Sequence, residues 1–196
     1  MGKQEGDIII MNKATEYVYH LLTSLGIDLT DENFRDTPER FSKVLEEFLG
    51  SGIDFEKELQ DIFSSVFKSA GDNIIVIKDI EAYGLCPHHL LPVKYNVSVV
   101  YLPHGYVIGL SKVSRLSKLL AKKALLQEVY TSLIAETIIK YLKTPDVAVI
   151  VRGEHLCMRM RGVEDREVGV VVSEMRGQFR DDKSLIRMEI MSLLGK

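Results

Sequence analysis

The chain has little of what would place it in a membrane, outside the cell or on a polyanion. No apolar run approaches the roughly 20 residues needed to cross a bilayer. Near the start the apolar stretch Ile8–Met11 is too short for a signal-peptide core, and Gly6 stands where N-myristoylation needs Ser or Thr. Net charge is also scarce. The 25 Lys and Arg against 28 Asp and Glu leave −3, so no global field draws in nucleic acid or anionic lipid. Any polyanion must then be gripped by a local cluster of cations. Internal repeats and low-complexity linkers are missing, which excludes solenoids and arrays. With only two cysteines there is no disulfide framework; one disulfide, two thiols or two metal ligands are the options. The expected setting is the cytoplasm, with neither a membrane nor a nucleic-acid polymer as partner.

What is present suits one globular domain of 196 residues, 46% hydrophobic and 27% charged. Ile8, Ile9, Ala14, Tyr17, Val18, Leu21, Leu22 and Leu25 recur at near-helical spacing, with Gly26 as a stop. Asp36-Thr37-Pro38-Glu39 is a helix start, with Asp36 or Thr37 as cap and Pro38 at the first helical position. That helix runs to Gly50, and a shorter one is predicted over 55–67. From residue 73 the period changes. Val93, Tyr95, Val97, Val99 and Tyr101 alternate with Lys94, Asn96, Ser98 and Val100, which predicts a strand with one polar face. Further strands are expected at 106–110, 147–152 and 168–173, a helical stretch over 112–142, and a last helix near 182–194. The class is α+β: an N-terminal helical arm (1–70), then an antiparallel sheet with helices (71–196), forming one structural domain overall.

Five of the seven Cys and His residues fall into two clusters. Cys86, His88 and His89 lie within four residues of one another; His155 and Cys157 lie two apart downstream. Zinc takes thiolate and imidazole ligands, and a catalytic zinc keeps one tetrahedral position for water. Cys-x-x-His plus one remote Cys supplies three ligands and leaves that position open. A closed structural site that adds His155 is the alternative geometry, and two inert buried thiols are the ordinary fate of isolated cysteines.

The ordered motifs carry a resemblance. Asp36-Thr37-Pro38-Glu39-Arg40, Cys86-Pro87-His88-His89-Leu90-Leu91-Pro92 and Val107-Ile108-Gly109-Leu110-Ser111-Lys112-Val113-Ser114-Arg115 come first. Gln127-Glu128, His155-Leu156-Cys157-Met158-Arg159-Met160-Arg161-Gly162 and Met175-Arg176-Gly177-Gln178-Phe179 follow. Together they resemble GTP cyclohydrolase I, from about residue 12 to the C-terminus. The resemblance implies a T-fold-like antiparallel sheet with helices on one face, and a homo-oligomer, commonly a decamer of two pentamers with sites between subunits. It implies GTP as substrate and Zn2+ as cofactor, with Cys86, His89 and Cys157 as ligands. His88 and His155 are then free as acid or base, and Ser111 serves as a proton relay. Glu128 pairs with the guanine N1–H and 2-amino group, with Gln127 framing the same pocket. Arg40, Lys43, Lys112, Arg115 and Arg161 are the cations aimed at the triphosphate; each of the first two pairs shares a helix face at three-residue spacing.

Departures from the family pattern are local. Pro87 stands where Glu is usual, which stiffens the loop and removes a charge. Val168, Val170 and Val172 replace Ser and Thr, and Glu174 replaces a small residue. None of these touches a ligand, a free histidine or Glu128. Two other functions compete: a paralogue stopping at the formamidopyrimidine intermediate, and a non-catalytic zinc-containing oligomer that binds purine nucleotides. A structural zinc needs neither His88, His155 nor Ser111, which counts against the second.

Overall fold

A computed structural model describes residues 12–69, 71, 73–181 and 185–194. Contacts group the chain into two compact units, Met1–Glu47 and Phe48–Lys196.

In the first unit, helix α1 (Lys13–Ser24) begins where the Asn12 side chain accepts the Thr15 N–H at 2.8 Å. It stops before Gly26, whose φ of +81° suits glycine. Ile8 and Ile9, expected on this helix, lie outside the described residues. Helix α2 (Thr37–Phe48) starts one residue earlier than Pro38, which stays in the first turn where its missing N–H costs nothing. A buried hydroxyl pair, Thr15–Ser42 at 2.9 Å, pins α1 to α2. Tyr17 and Leu21 on α1, Leu25 just after it, and Phe41 and Val44 on α2 are exposed.

In the second unit, α3 (Phe55–Phe63) is capped by Asp54, whose carboxylate accepts the Lys57 N–H. The helix does not continue to Phe67 as expected. Val66–Lys68 form β1, which pairs antiparallel with β4 (Tyr106–Ile108). The expected strand 106–110 is therefore shorter and belongs to a separate ribbon. The main sheet is β2 (Ile75–Leu85), β3 (Pro92–Tyr101), β5 (Val147–His155) and β6 (Val170–Met175), antiparallel throughout in the order β2-β3-β5-β6.

Two helices cover one face. The stretch 112–142 is not one helix: α4 (Leu110–Ala121) and α5 (Gln127–Leu142) are separated by residues 122–126, with Ala124 at φ +46°. No Pro or Gly marks that break. It arises from packing, since α4 lies against β2 while α5 lies against β5 and β6. Beneath them Val93, Tyr95, Val97, Val99, Val147, Val149 and Val151 are buried, each worth about 1.5–3 kcal/mol when fully removed from water.

The predicted polar face of β3 holds only at one end. Lys94 is exposed, but Ser98 and Val100 are buried. Val100 and Ala148 pack with Phe179 of a 3-10 turn (Gly177–Arg180) and Ile190 of α7 (Leu185–Leu194). That end of the sheet is tied by Asp146, 2% exposed. Its carboxylate accepts the Gln178 N–H at 2.7 Å, the Gln178 side-chain amide at 3.2 Å and His104 Nε2 at 2.8 Å. Burial pushes the Asp146 carboxyl up, but these donors outweigh it and hold it below the usual range. A side chain at Gly177 (φ +60°) would collide with Asp146 and stand 2.7 Å from the Pro145 carbonyl oxygen. Among the described residues no helix is long and apolar enough to cross a membrane.

Candidate active site

The opposite end of the same strands brings the two Cys/His clusters together. Leu85 pairs with Pro92, so residues 86–91 form the hairpin loop between β2 and β3. The loop is closed by the Cys86 N–H to Leu91 O (2.9 Å) and the Leu90 N–H to Cys86 O (2.8 Å), with Leu90 at φ +52°. On the other side Val93 pairs with His155. The short helix α6 (Leu156–Arg159), which the sequence pattern did not signal, then turns Cys157 back toward the loop.

The Cys86 and Cys157 sulfurs and a His89 ring nitrogen all lie within 4.8 Å of one another, both thiols buried and His89 exposed. Around a tetrahedral zinc, with Zn–S about 2.3 Å and Zn–N about 2.0–2.1 Å, ligand atoms stand roughly 3.5–3.8 Å apart. Small side-chain movements would close this set on such an ion, and two thiols with one imidazole are a donor set that zinc favours. Burial pushes the Cys157 thiol up, the neighbouring Cys86 thiol adds to this, and Arg161 opposes it. A cation among the three donors would relieve that resistance to ionisation.

The two histidines outside the trio differ. His88 is exposed, with Nδ1 3.8 Å from the Cys86 sulfur and its ring edge-on to His89. His155 is half-buried and does not join the metal-ligating group; its Nε2 lies 2.8 Å from Gln127 Oε1. The trio therefore forms without His155, whose Nε2 faces Gln127. Burial lowers the basicity of His155, and Glu128 partly restores it.

Glu128 and Ser111 are exposed in the first turns of α5 and α4. The neighbours of Glu128 suggest a partly buried edge, but Leu126 and Val129 are themselves 40% and 46% exposed. Apolar neighbours here mark a surface, not a burial. Glu128 lines a depression of about 280 Å³ with Val129, Ser132, Leu133 and Glu136.

Of the five cations, three belong to the second unit and two to the first. Lys112 and Arg115 line a cleft of about 350 Å³ with Lys118, Lys122, Glu58 and Asp61. Arg161 acts on Cys157 instead. Arg40 and Lys43 belong to α2 in the first unit, paired with Asp36 at 3.1 Å and Glu39 at 2.6 Å.

Two participants went unnoticed in the sequence. Tyr95 stacks on Tyr130 (4.8 Å between centroids) and meets the His155 ring edge-on; burial pushes its hydroxyl up to about 12, with the Cys86 and Cys157 thiols adding to the effect. Nothing but its place in the alternation of β3 hinted at this. Gly153 lies against Gln127 and His155. A lone glycine inside the valine-rich strand was its available signal, since such a residue often marks close approach.

Comparison with known proteins gives the family. A GTP cyclohydrolase 1 of Coxiella burnetii is 42% identical over 185 residues, covering 94% of this chain and 99% of that protein. One from Clostridium perfringens is 37% identical over 179 residues, covering 91% and 95%. One from Pseudomonas aeruginosa is 38% identical over 175 residues, covering 89% and 94%. Among solved structures, an archaeosine synthase QueF-Like in the apo form aligns at a TM-score of 0.46 and 20% identity, across 55% of this chain and 96% of that one. The family model for GTP cyclohydrolase I matches residues 14–195, and the chain belongs to that family.

Proposed function

We propose that the chain is a GTP cyclohydrolase I that opens the guanine imidazole ring of GTP and releases formate. Its product is 7,8-dihydroneopterin triphosphate, made for folate or another pterin pathway. The convergence of Cys86, His89 and Cys157 in a member of this family carries the reading.

Zinc held by that trio would supply Lewis acidity for hydrolysis at C8. The remaining work falls to side chains. One water adds at C8 and the C8–N9 bond breaks, leaving a formamide on N7. A second water releases formate. The opened ribose then undergoes an Amadori rearrangement, and ring closure expels water, so no electrons are exchanged and no redox cofactor is needed. His88 and His155 deliver and remove protons at the ring nitrogens, a task suited to imidazole near neutral pH. Ser111 relays a proton during the rearrangement. Glu128 accepts from the guanine N1–H and 2-amino group, which adenine cannot offer together. Lys112, Arg115, Arg161, Arg40 and Lys43 neutralise the triphosphate.

Assembly belongs to the same proposal. The helical arm 1–70 serves association and also supplies Arg40 and Lys43, 71–196 carries the other site residues, and the chain forms a homo-oligomeric ring, a decamer of two pentamers. The exposed apolar side chains of α1 and α2, and the sheet edges at β2 and β6, support this. A fully active monomer in analytical ultracentrifugation at assay concentration would refute it.

The deciding experiment gives GTP to the zinc-loaded protein and follows formate together with the fluorescent pterin obtained on oxidation. Both should accumulate in equal amounts. Formamidopyrimidine as the sole product would instead identify a stalled paralogue. Unchanged GTP, bound tightly with full zinc, would identify a non-catalytic binding module.

A further inference from the structure

Gln127 opens α5 and is 3% exposed. Its amide offers two N–H donors at one end and an oxygen acceptor at the other. Nε2 lies 3.0 Å from the carbonyl oxygen of Val151 on β5 and 3.0 Å from that of Val170 on β6. Carbonyl oxygens only accept, so the NH2 end must face them. Reversing the amide would set oxygen against two oxygens and strip both carbonyls of this donor. Oε1 is thereby turned toward His155 Nε2 at 2.8 Å. An amide oxygen cannot donate, so Nε2 must carry the hydrogen. In the neutral ring the lone pair is then on Nδ1.

Gly153 makes room for this arrangement. A methyl there would collide with Gln127 Oε1, lie 2.9 Å from Gln127 Cδ and 3.2 Å from His155 Nε2. Gly153 also pairs with Val170, whose carbonyl holds the amide, so one backbone position sets both ends of the contact.

We propose that Gln127, admitted by Gly153, is a positioning residue that fixes His155 in the Nε2–H tautomer. Nδ1 is left as the only nitrogen of that ring able to take a proton. The catalytic part of this inference rests on the reading of His155 as an acid–base group; the tautomer itself does not.

The test uses zinc-loaded protein labelled with 15N-histidine, read by solid-state NMR. Subtracting the spectrum of His155→Ala isolates the His155 signals. The wild type should show a protonated Nε2 and a bare Nδ1. Gln127→Met removes the amide, and Gly153→Ala keeps every functional group while displacing it. Both should lose the single tautomer and drop kcat by about 10–100-fold, with KM within about threefold and metal content unchanged. If Gly153→Ala does not fold, Gln127→Met decides alone. A wild-type Nδ1–H signal would overturn the proposal. So would variants that keep kcat, or that keep the Nε2–H signal with metal in place. Absence of turnover in the wild type would sink the functional reading instead, and the NMR result would still settle the tautomer.

Discussion

The two ends of β3 and β5 are built from the same valine-rich strands and finish in opposite chemical states. At the Asp146 end a buried carboxylate accepts three hydrogen bonds, a glycine is required by contact, and two apolar residues seal the second face. At the Cys157 end two buried thiols face each other with the ionisation of Cys157 suppressed, while His88, His89 and Glu128 are exposed. One end is saturated and holds the fold; the other is left open for a ligand. Stability and reactivity are thus separated by the length of a strand, so changes at the two ends should produce different kinds of loss.

Replacing Cys157 with Ala tests the open end most severely. It should abolish both metal binding and turnover, a fall of more than about 10³-fold, because a metal centre cannot be held by two ligands alone. Full metal occupancy in that variant, measured by elemental analysis, would break the contrast. His155→Ala is the next step down. Metal should be retained while kcat falls by about 10²–10⁴-fold, the usual worth of a positioned acid–base group, and formamidopyrimidine should accumulate. Chromatography of a long incubation reads this directly.

The cations sharpen the comparison at lower cost. Arg115→Ala should weaken GTP binding by about 1.5–3 kcal/mol if the contact is desolvated by the ligand, leaving guanosine almost unaffected. Equal losses for both, by calorimetry, would remove Arg115 from the phosphate site.

At the saturated end the expected loss is in stability. Asp146→Asn should destabilise the fold by about 1–3 kcal/mol, since an amide set against the donors of His104 and Gln178 leaves one of them unmatched. Zinc content and kcat should change little. The pH dependence follows in sign. Because the folded carboxyl sits below its ordinary value of 3.8, its contribution is complete above that value and fades as pH falls through the lower folded one. The wild type and Asp146→Asn should therefore converge in acid denaturation below about pH 3.8. Divergence there would show that Asp146 is not the group responsible.

How much of this was legible in the sequence varies with the range of the interaction. Strand β3 was readable because its alternation is local, and so were the stop of α1 at Gly26 and the start of α2 around Pro38. The two Cys/His clusters were readable because thiols and imidazoles are rare and each cluster is short; the choice of Cys86, His89 and Cys157 came from the resemblance, and these three donors do lie together. What escaped depends on contacts distant in sequence. The break at Ala124 is imposed by two helices facing different strands, and β1 becomes a strand only because Val66 meets Ile108. Val100 loses its expected exposure only once the C-terminal turn and helix arrive. The exposure of Glu128 was not legible for a related reason: its apolar neighbours in sequence do not say which side of a helix will be covered.

The strand order β2-β3-β5-β6 also has a kinetic consequence. Pairing β2 with β3 closes only the six residues 86–91, and it places Cys86 and His89 side by side. Pairing β3 with β5 must first close the segment 102–146, which by chain entropy alone costs about 2 kcal/mol more. The hairpin therefore offers two of the three donors early, and Cys157 completes the set late. Metal present during refolding should accelerate the late pairing by rewarding it at once, whereas metal added to the finished fold should only slow unfolding. Stopped-flow refolding with and without zinc would separate these two effects.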